Sequence, residues 1–168
     1  MLFRSVETDC GAVEQAVSDQ ASLLDLLARF AREGVEYVLV GGQAVRLNGF
    51  LRSTEGIDVL LRPGRKNGER VIRALEYLPA SSELDPSWFD PGAGEPENIR
   101  VADELLVDLL FNANGQTWES VQPWVQRLDI DGVPVQVLDI DGLLRTKTNY
   151  REKDILDRQA LTRIRDAV

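Results

Sequence analysis

Histidine is missing altogether from this 168-residue chain. That absence excludes His-based zinc sites, the Ser-His-Asp and Cys-His nucleophile systems and imidazole acid–base catalysis. Cysteine occurs once, at Cys10, which rules out an internal disulfide. No apolar run approaches the ~18 residues of a membrane span, and Met1 to Asp9 carries acids where a signal peptide has an apolar core. These absences lead us to expect a cytoplasmic protein without a membrane partner. Positive charge is scarce too, with 19 Lys and Arg against 28 Asp and Glu and a net charge of −9. That balance argues against a broad nucleic-acid-binding face, while leaving room for a local basic pocket. Chemistry here must rest on carboxylates, Lys, Arg, Tyr, Ser or Thr, and a bound metal.

What is present is an ordinary globular composition, 43% hydrophobic and 28% charged, in a chain long enough to bury a core. Residues 1–17 lack periodicity and are expected to form a loose arm ahead of one domain over 18–168. Ser18 is positioned as the N-cap of a helix whose stripe is Leu23, Leu26, Leu27 and Phe30, with Gly34 as its stop. Val35 to Val40 reads as a strand ending at Gly41-Gly42, and a short helix follows from Gln43 to Leu47. Ile57 to Arg62 is a second strand, and Gly68 to Leu78 an amphipathic helix. The Pro-, Gly- and Ser-rich stretch from Pro79 to Glu97 reads as a long surface loop. Asn98 to Ala102 is expected as an edge strand, Leu105 to Phe111 as an apolar strand and Thr117 to Gln126 as a helix. A hairpin with Asp131-Gly132 at its turn joins Arg127–Asp131 to Val133–Val137. Helices from Ile140 to Thr148 and Glu152 to Ala167 close the chain. The order predicts a mixed-sheet α/β (α+β) fold, its core over 35–138 and its closing helices over 139–168.

Three features stand out chemically. Asp108 interrupts the apolar run Leu105–Phe111, where an uncompensated carboxylate costs several kcal/mol, on the order of 3–5 when its partner is lost. Either a nearby Arg pairs with it, an edge position lets it face water, or it holds a metal. Asp58 sits at the head of another apolar strand, and two carboxylates at matched depth on adjacent strands suit an oxygen-ligated Mg²⁺. Val38-Leu39-Val40-Gly41-Gly42 runs a strand into paired glycines and a helix, where backbone N–H groups can approach a phosphate. It has neither the Walker lysine spacing nor GxGxxG. The DxDG-like Asp139-Ile140-Asp141-Gly142 is a decoy for a phosphatase nucleophile. Leu143 stands where that motif carries Thr, and Asp139 reads as an N-cap.

In this order the pieces resemble the nucleotidyltransferase superfamily, in particular the minimal and abortive-infection (AbiEii-like) type. The residues carrying the resemblance are Tyr37 to Val45 with the diglycine, Arg52-Ser53-Thr54, Gly56-Ile57-Asp58-Val59-Leu60, the Asp108 strand, and the tail from Leu143 through Lys147, Arg151, Lys153 and Asp154 to Asp157. The resemblance implies transfer of a nucleotide from a nucleoside triphosphate (NTP) to an acceptor hydroxyl on RNA, protein or a small molecule, with Mg²⁺ or Mn²⁺. Asp58 and Asp108 would be the catalytic and metal-binding acids. Gly41, Gly42, Arg52, Thr54, Lys147 and Arg151 would bind the nucleotide, Lys147 and Arg151 from one helical face four residues apart. Read from the residues alone, that basic pair equally suits a solvated face, and Arg52 and Thr54 suit turn chemistry. Lys153, Asp154 and Asp157 read as structural, and Trp118 and Trp124 as core or interface. The family's D-h-D pattern departs here at Gly56, which removes one ligand from the strand face carrying Asp58. A second reading follows: an inactive nucleotide- or partner-binding module, such as one component of a toxin–antitoxin pair.

Overall fold

The computed structural model describes residues 3–7, 20–92 and 94–167. Seven strands among them form one mixed sheet: β1 (Phe3–Glu7), β2 (Tyr37–Val40), β3 (Ile57–Leu61), β4 (Asn98–Ala102), β5 (Leu106–Leu110), β6 (Val125–Ile130) and β7 (Val133–Leu138), in the order β1-β4-β5-β3-β2-β7-β6. Five helices accompany it: α1 (Gln20–Glu33), α2 (Gly41–Leu47), α3 (Arg65–Ala74), α4 (Ile140–Thr146) and α5 (Glu152–Asp166).

The helix α1 follows from its sequence. Leu23, Leu26, Leu27 and Phe30 recur at helical spacing and are buried where α1 packs on β7 and α3. It ends because Gly34 turns left-handed at φ 72°, letting the Val35 N–H donate back to Phe30 O at 3.0 Å. Ser18 lies outside the described residues. The central strands β2, β3 and β5 are rich in Val and Leu because helices or loops cover both faces of the sheet, and only Asp58 in β3 and Asp108 in β5 break the apolar pattern. The Asp131-Gly132 hairpin turn forms as expected, with φ of 53° and 83° at its two residues. Asp139 caps α4, its side chain accepting from the Gly142 N–H at 2.8 Å.

Several expectations are corrected. Residues 3–7 are no loose arm but strand β1, paired in parallel with β4, so β4 is internal and not an edge. A short strand alternating Phe3, Ser5 and Glu7 with Arg4 and Val6 has too little apolar pattern to be legible alone. Residues 117–126 form no α-helix. Thr117 and Ser120 bond to each other's backbone N–H groups, Pro123 leaves only a 3-10 turn over Gln122–Trp124, and Val125-Gln126 already belong to β6. The loop after Leu78 is partly built in: two 3-10 turns, Pro79–Glu83 and Pro86–Phe89, bury Ala80, Leu84 and Phe89. α4 stops at Thr146, since Lys147 is extended at φ −96°, ψ 136°. No helix among the described residues is long and apolar enough to cross a membrane.

Asn67 ties the sheet to α3. Its side chain accepts from the Glu36 N–H at 2.9 Å and donates to Glu36 O at 3.0 Å and Arg62 O at 2.9 Å, joining the entry of β2 to the exit of β3. Asn67→Ala is expected to cost about 1–3 kcal/mol, because it takes the side-chain partner from the Glu36 N–H and the Arg62 carbonyl, while Glu36 O keeps its bond from the Arg62 N–H. Urea unfolding measures this, and a midpoint equal to wild type would show that water replaces the amide without loss.

Candidate functional site

Strand register builds the site. β2 and β3 run antiparallel with Val40 opposite Asp58, β3 and β5 run parallel with Asp58 opposite Asp108, and β4 and β5 run antiparallel with Arg100 opposite Asp108. Directly opposed residues project from the same face of a sheet. Asp58, Asp108 and Arg100 therefore form one row across three neighbouring strands, and β2 ends beside that row at the glycine turn.

Gly41 opens α2 at φ 69°, a conformation that L side chains rarely adopt. A Cβ there would also lie 2.8 Å from Asp58 Cγ and 2.9 Å from Asp58 Cβ, so the Asp58 carboxyl fills the space a side chain would need. At Gly42 a Cβ would stand 2.7 Å from Thr54 Cβ and 3.1 Å from Arg52 Nη1. No side chain caps the start of α2 at Val40. The turn thus meets Asp58 on one side and Arg52 with Thr54 on the other, through glycines that nothing larger could replace.

Arg52 is held from behind. Its Nε and Nη2 donate to the two carboxylate oxygens of Asp157 at 2.7 and 2.9 Å, and Nη1 donates to Ser53 O at 2.9 Å. Asp157 is fully buried, and Lys147 Nζ lies 3.0 Å from it and 3.8 Å from Asp154. Asp154 in turn accepts from the Thr148 N–H at 3.0 Å and its hydroxyl at 2.9 Å. Burial works against the Asp157 charge, but the hydrogen bond from Arg52 and the Lys147 ammonium outweigh it, so its carboxyl lies below the usual value. Asp154 and Asp157 are therefore structural anchors, as expected, while Lys153 is exposed. Lys147 and Arg151 do not share a helical face. The chain between α4 and α5 is non-helical, Lys147 is buried, and Arg151 is exposed with its N–H bonded to Thr148 Oγ1. The tail turns here because the Thr148 and Asp154 side chains satisfy its backbone in a non-helical arrangement.

The acid pair is electrically unusual. Burial, then the Asp108 charge and a hydrogen bond between the two carboxyls, push the Asp58 pKa up to about 7, against the opposing pull of Lys147 and Arg100. Arg100 grips the other acid: Nε donates to Asp108 Oδ1 at 2.8 Å and Nη2 to Oδ2 at 3.1 Å. The arginine reading of Asp108 holds, since Arg100 pairs with it, and the strand register also sets it beside Asp58. The reading of an edge facing water fails because β5 lies between β3 and β4. The sequence reading did not single out Arg100. Its signal was a lone charge in Asn98-Ile99-Arg100-Val101-Ala102, legible only once β4 is set antiparallel to β5.

A pair of carboxyls pushed toward sharing a proton is an arrangement that a divalent cation would relieve. With water and phosphate oxygens completing the shell, these residues fit one Mg²⁺ or Mn²⁺. Among the described residues no group of three Asp, Glu or Cys side chains converges. The position that would supply the third is tight. A Cβ at Gly56 would lie 3.1 Å from Leu106 O and 3.4 Å from the Leu106 side chain. Two surface depressions lie elsewhere, one of about 570 Å³ bordered by Arg4, Trp88, Asp90 and Glu97, the other of about 430 Å³ bordered by Glu36, Arg62 and Arg70.

No family model and no curated protein matches this sequence. Solved structures do. The lincosamide antibiotic adenylyltransferase LnuA, in its lincomycin-bound crystal structure, superposes with a TM-score of 0.59 at 18% identity over 88% of this chain and 99% of its own. An antigenic nucleotidyltransferase-like protein from Paracoccidioides brasiliensis gives a TM-score of 0.50 at 14% identity, over 95% of this chain and 78% of its own. The fold is a nucleotidyltransferase fold. Within it, the diglycine turn after β2 and the acids on β3 and β5 are the features that the sequence motifs had marked.

Two outcomes follow from this electrostatics. Because the folded Asp58 pKa is raised above its unfolded value, the folded state holds an extra proton between about pH 4 and 7, and stability falls as pH rises through that window. Asp58→Asn removes this penalty. Its melting temperature is expected above wild type at pH 8, with the difference vanishing near pH 4, and a difference independent of pH would refute the shift. Asp157→Ala strands the buried Lys147 and the half-buried Arg52 and is expected to cost about 3–5 kcal/mol. A loss below about 1 kcal/mol in urea unfolding would place Asp157 with solvent-screened pairs instead.

Proposed function

We propose that this chain binds an NTP at the Gly41-Gly42 turn and transfers its nucleotide to an acceptor hydroxyl, using one divalent cation, Mg²⁺ or Mn²⁺, at Asp58 and Asp108. The observation carrying this reading is the in-register acid pair pressed against a left-handed glycine. A cation bound there would neutralise charge on the transferring phosphate. The chain's own groups do the rest. The backbone N–H groups of Gly41 and Gly42 meet phosphate oxygens without a Cβ in the way. The Thr54 hydroxyl and Arg52 Nη1 border the same turn, and Lys147 adds positive potential from behind. Asp108 accepts the acceptor's hydroxyl proton as the new O–P bond forms at the α-phosphate and pyrophosphate leaves. Arg151, exposed at the start of α5, takes no role in this reading.

The adenylyltransferase neighbour is described with a lincosamide antibiotic. That supports a small-molecule hydroxyl as one acceptor class beside RNA and protein. Gly56 favours a second reading, in which the site retains nucleotide but does not turn it over and the chain serves as a nucleotide- or partner-binding module. The resemblance to AbiEii-like proteins would make a cognate toxin or antitoxin its partner.

The two readings part at position 56. Wild type and Gly56→Asp are incubated with labelled NTPs, Mg²⁺ and mixed RNA, protein and small-molecule acceptors, with Asp58→Asn as control. Label transfer by wild type, faster in Gly56→Asp and lost in Asp58→Asn, is the expected result. Transfer by the variant alone supports the module reading, and absence of Mg²⁺-linked NTP binding in both sinks the enzyme.

A further inference from the structure

Arg100 does more than neutralise a buried acid. Its guanidinium meets Asp108 fork to fork, so both carboxylate oxygens that would face a cation are already engaged. The contact is asymmetric in exposure, since the Asp108 side chain is 12% accessible and that of Arg100 is 42%. Asp108 is held in place by its strand, whereas Arg100 has open space into which to move. On its far side the guanidinium stands 4.9 Å from the Phe3 ring, contributed by the short edge strand β1. A guanidinium and a divalent ion on the same carboxylate would sit within a few ångströms of each other, and their repulsion in a partly desolvated site disfavours joint occupancy.

We propose that Arg100 is a latch on the cation site: it holds Asp108 in the metal-free state, swings out when a cation is gripped, and is itself then taken up by the NTP's phosphates. This rests on the reading of Asp58 and Asp108 as cation ligands. The latch makes cation and nucleotide binding mutually dependent, because each ligand relieves a cost that the other would meet alone. Phe3 sets how firmly the latch is held, so β1, distant in sequence from every motif, tunes the site. Arg100 thus acts on the cation through Asp108 and, once released, on the nucleotide directly.

The test is a Mn²⁺ titration, read by the electron paramagnetic resonance of the free ion, with and without a non-hydrolysable NTP analogue. It compares wild type, Arg100→Gln, Arg100→Lys, Phe3→Ala and the double variant Asp58→Asn/Arg100→Gln, each checked for its melting transition. Arg100→Gln is expected to bind Mn²⁺ alone on the order of tenfold more tightly than wild type, the scale of ordinary coupling between linked sites. Phe3→Ala shifts the same way by less. Arg100→Lys, which keeps the charge without the fork, falls between and decides the matter if Arg100→Gln does not fold. The analogue strengthens Mn²⁺ binding more in wild type than in Arg100→Gln. Equal Mn²⁺ affinity in wild type and the Arg100 variants would overturn the latch while leaving the cation site standing. Undiminished Mn²⁺ binding in the double variant would place the ion elsewhere and overturn both.

Discussion

Two carboxyl groups set side by side by strand register are the constraint around which the rest of this molecule is arranged. Parallel pairing of β3 with β5 leaves Asp58 and Asp108 no separation to choose, and partial burial limits their hydration. Like charges in that position cannot both ionise freely. The sheet answers with cations on either side, Arg100 on the next strand and Lys147 behind, and with a hydrogen bond between the two acids. The glycine turn belongs to the same constraint. Asp58 can stand where it does only because Gly41 has no side chain.

A second layer of charge fixes the surroundings. Asp157, at the heart of α5, binds Arg52 and Lys147 together, so the closing helices are part of the site's construction and not an appendage. Arg52 comes from the loop before β3, Lys147 from the break between α4 and α5, and Asp157 from α5 itself. One buried carboxylate thereby positions a loop, a chain reversal and a helix, and holds Arg52 against Gly42.

Gly56 sits where fold and function come apart. The nucleotidyltransferase fold is present in full, yet the strand face that would offer a further acid offers none, and the backbone of Leu106 closes on that position. Function resides in a site built on a fold, and a fold survives the loss of a ligand that its chemistry would feel. The acid pair that remains is itself engaged, since Arg100 holds both carboxylate oxygens of Asp108.

The sequence by itself determined the local elements and the residue types at the site. The helical stripe of α1, the Asp131-Gly132 turn, the Asp139 cap, the strand-to-diglycine junction and two acids in apolar runs are all decided by near-neighbour chemistry, and each is read directly from spacing. Where non-local partners set the outcome, spacing carried no information. Phe3 to Glu7 became a strand because β4 had an open edge, and residues 117–124 were drawn into turns by Thr117, Ser120 and Pro123. Lys147 lost the helical face it was expected to share with Arg151 because Asp157 and Asp154 pull it inward. Arg100 acquired its place only through antiparallel register with Asp108. Backbone propensity acts over a few residues, whereas pairing register and buried charge act between segments about a hundred positions apart, as Arg52 and Asp157 do. Which acids exist was written in the chain, and which cations they meet was settled by the sheet.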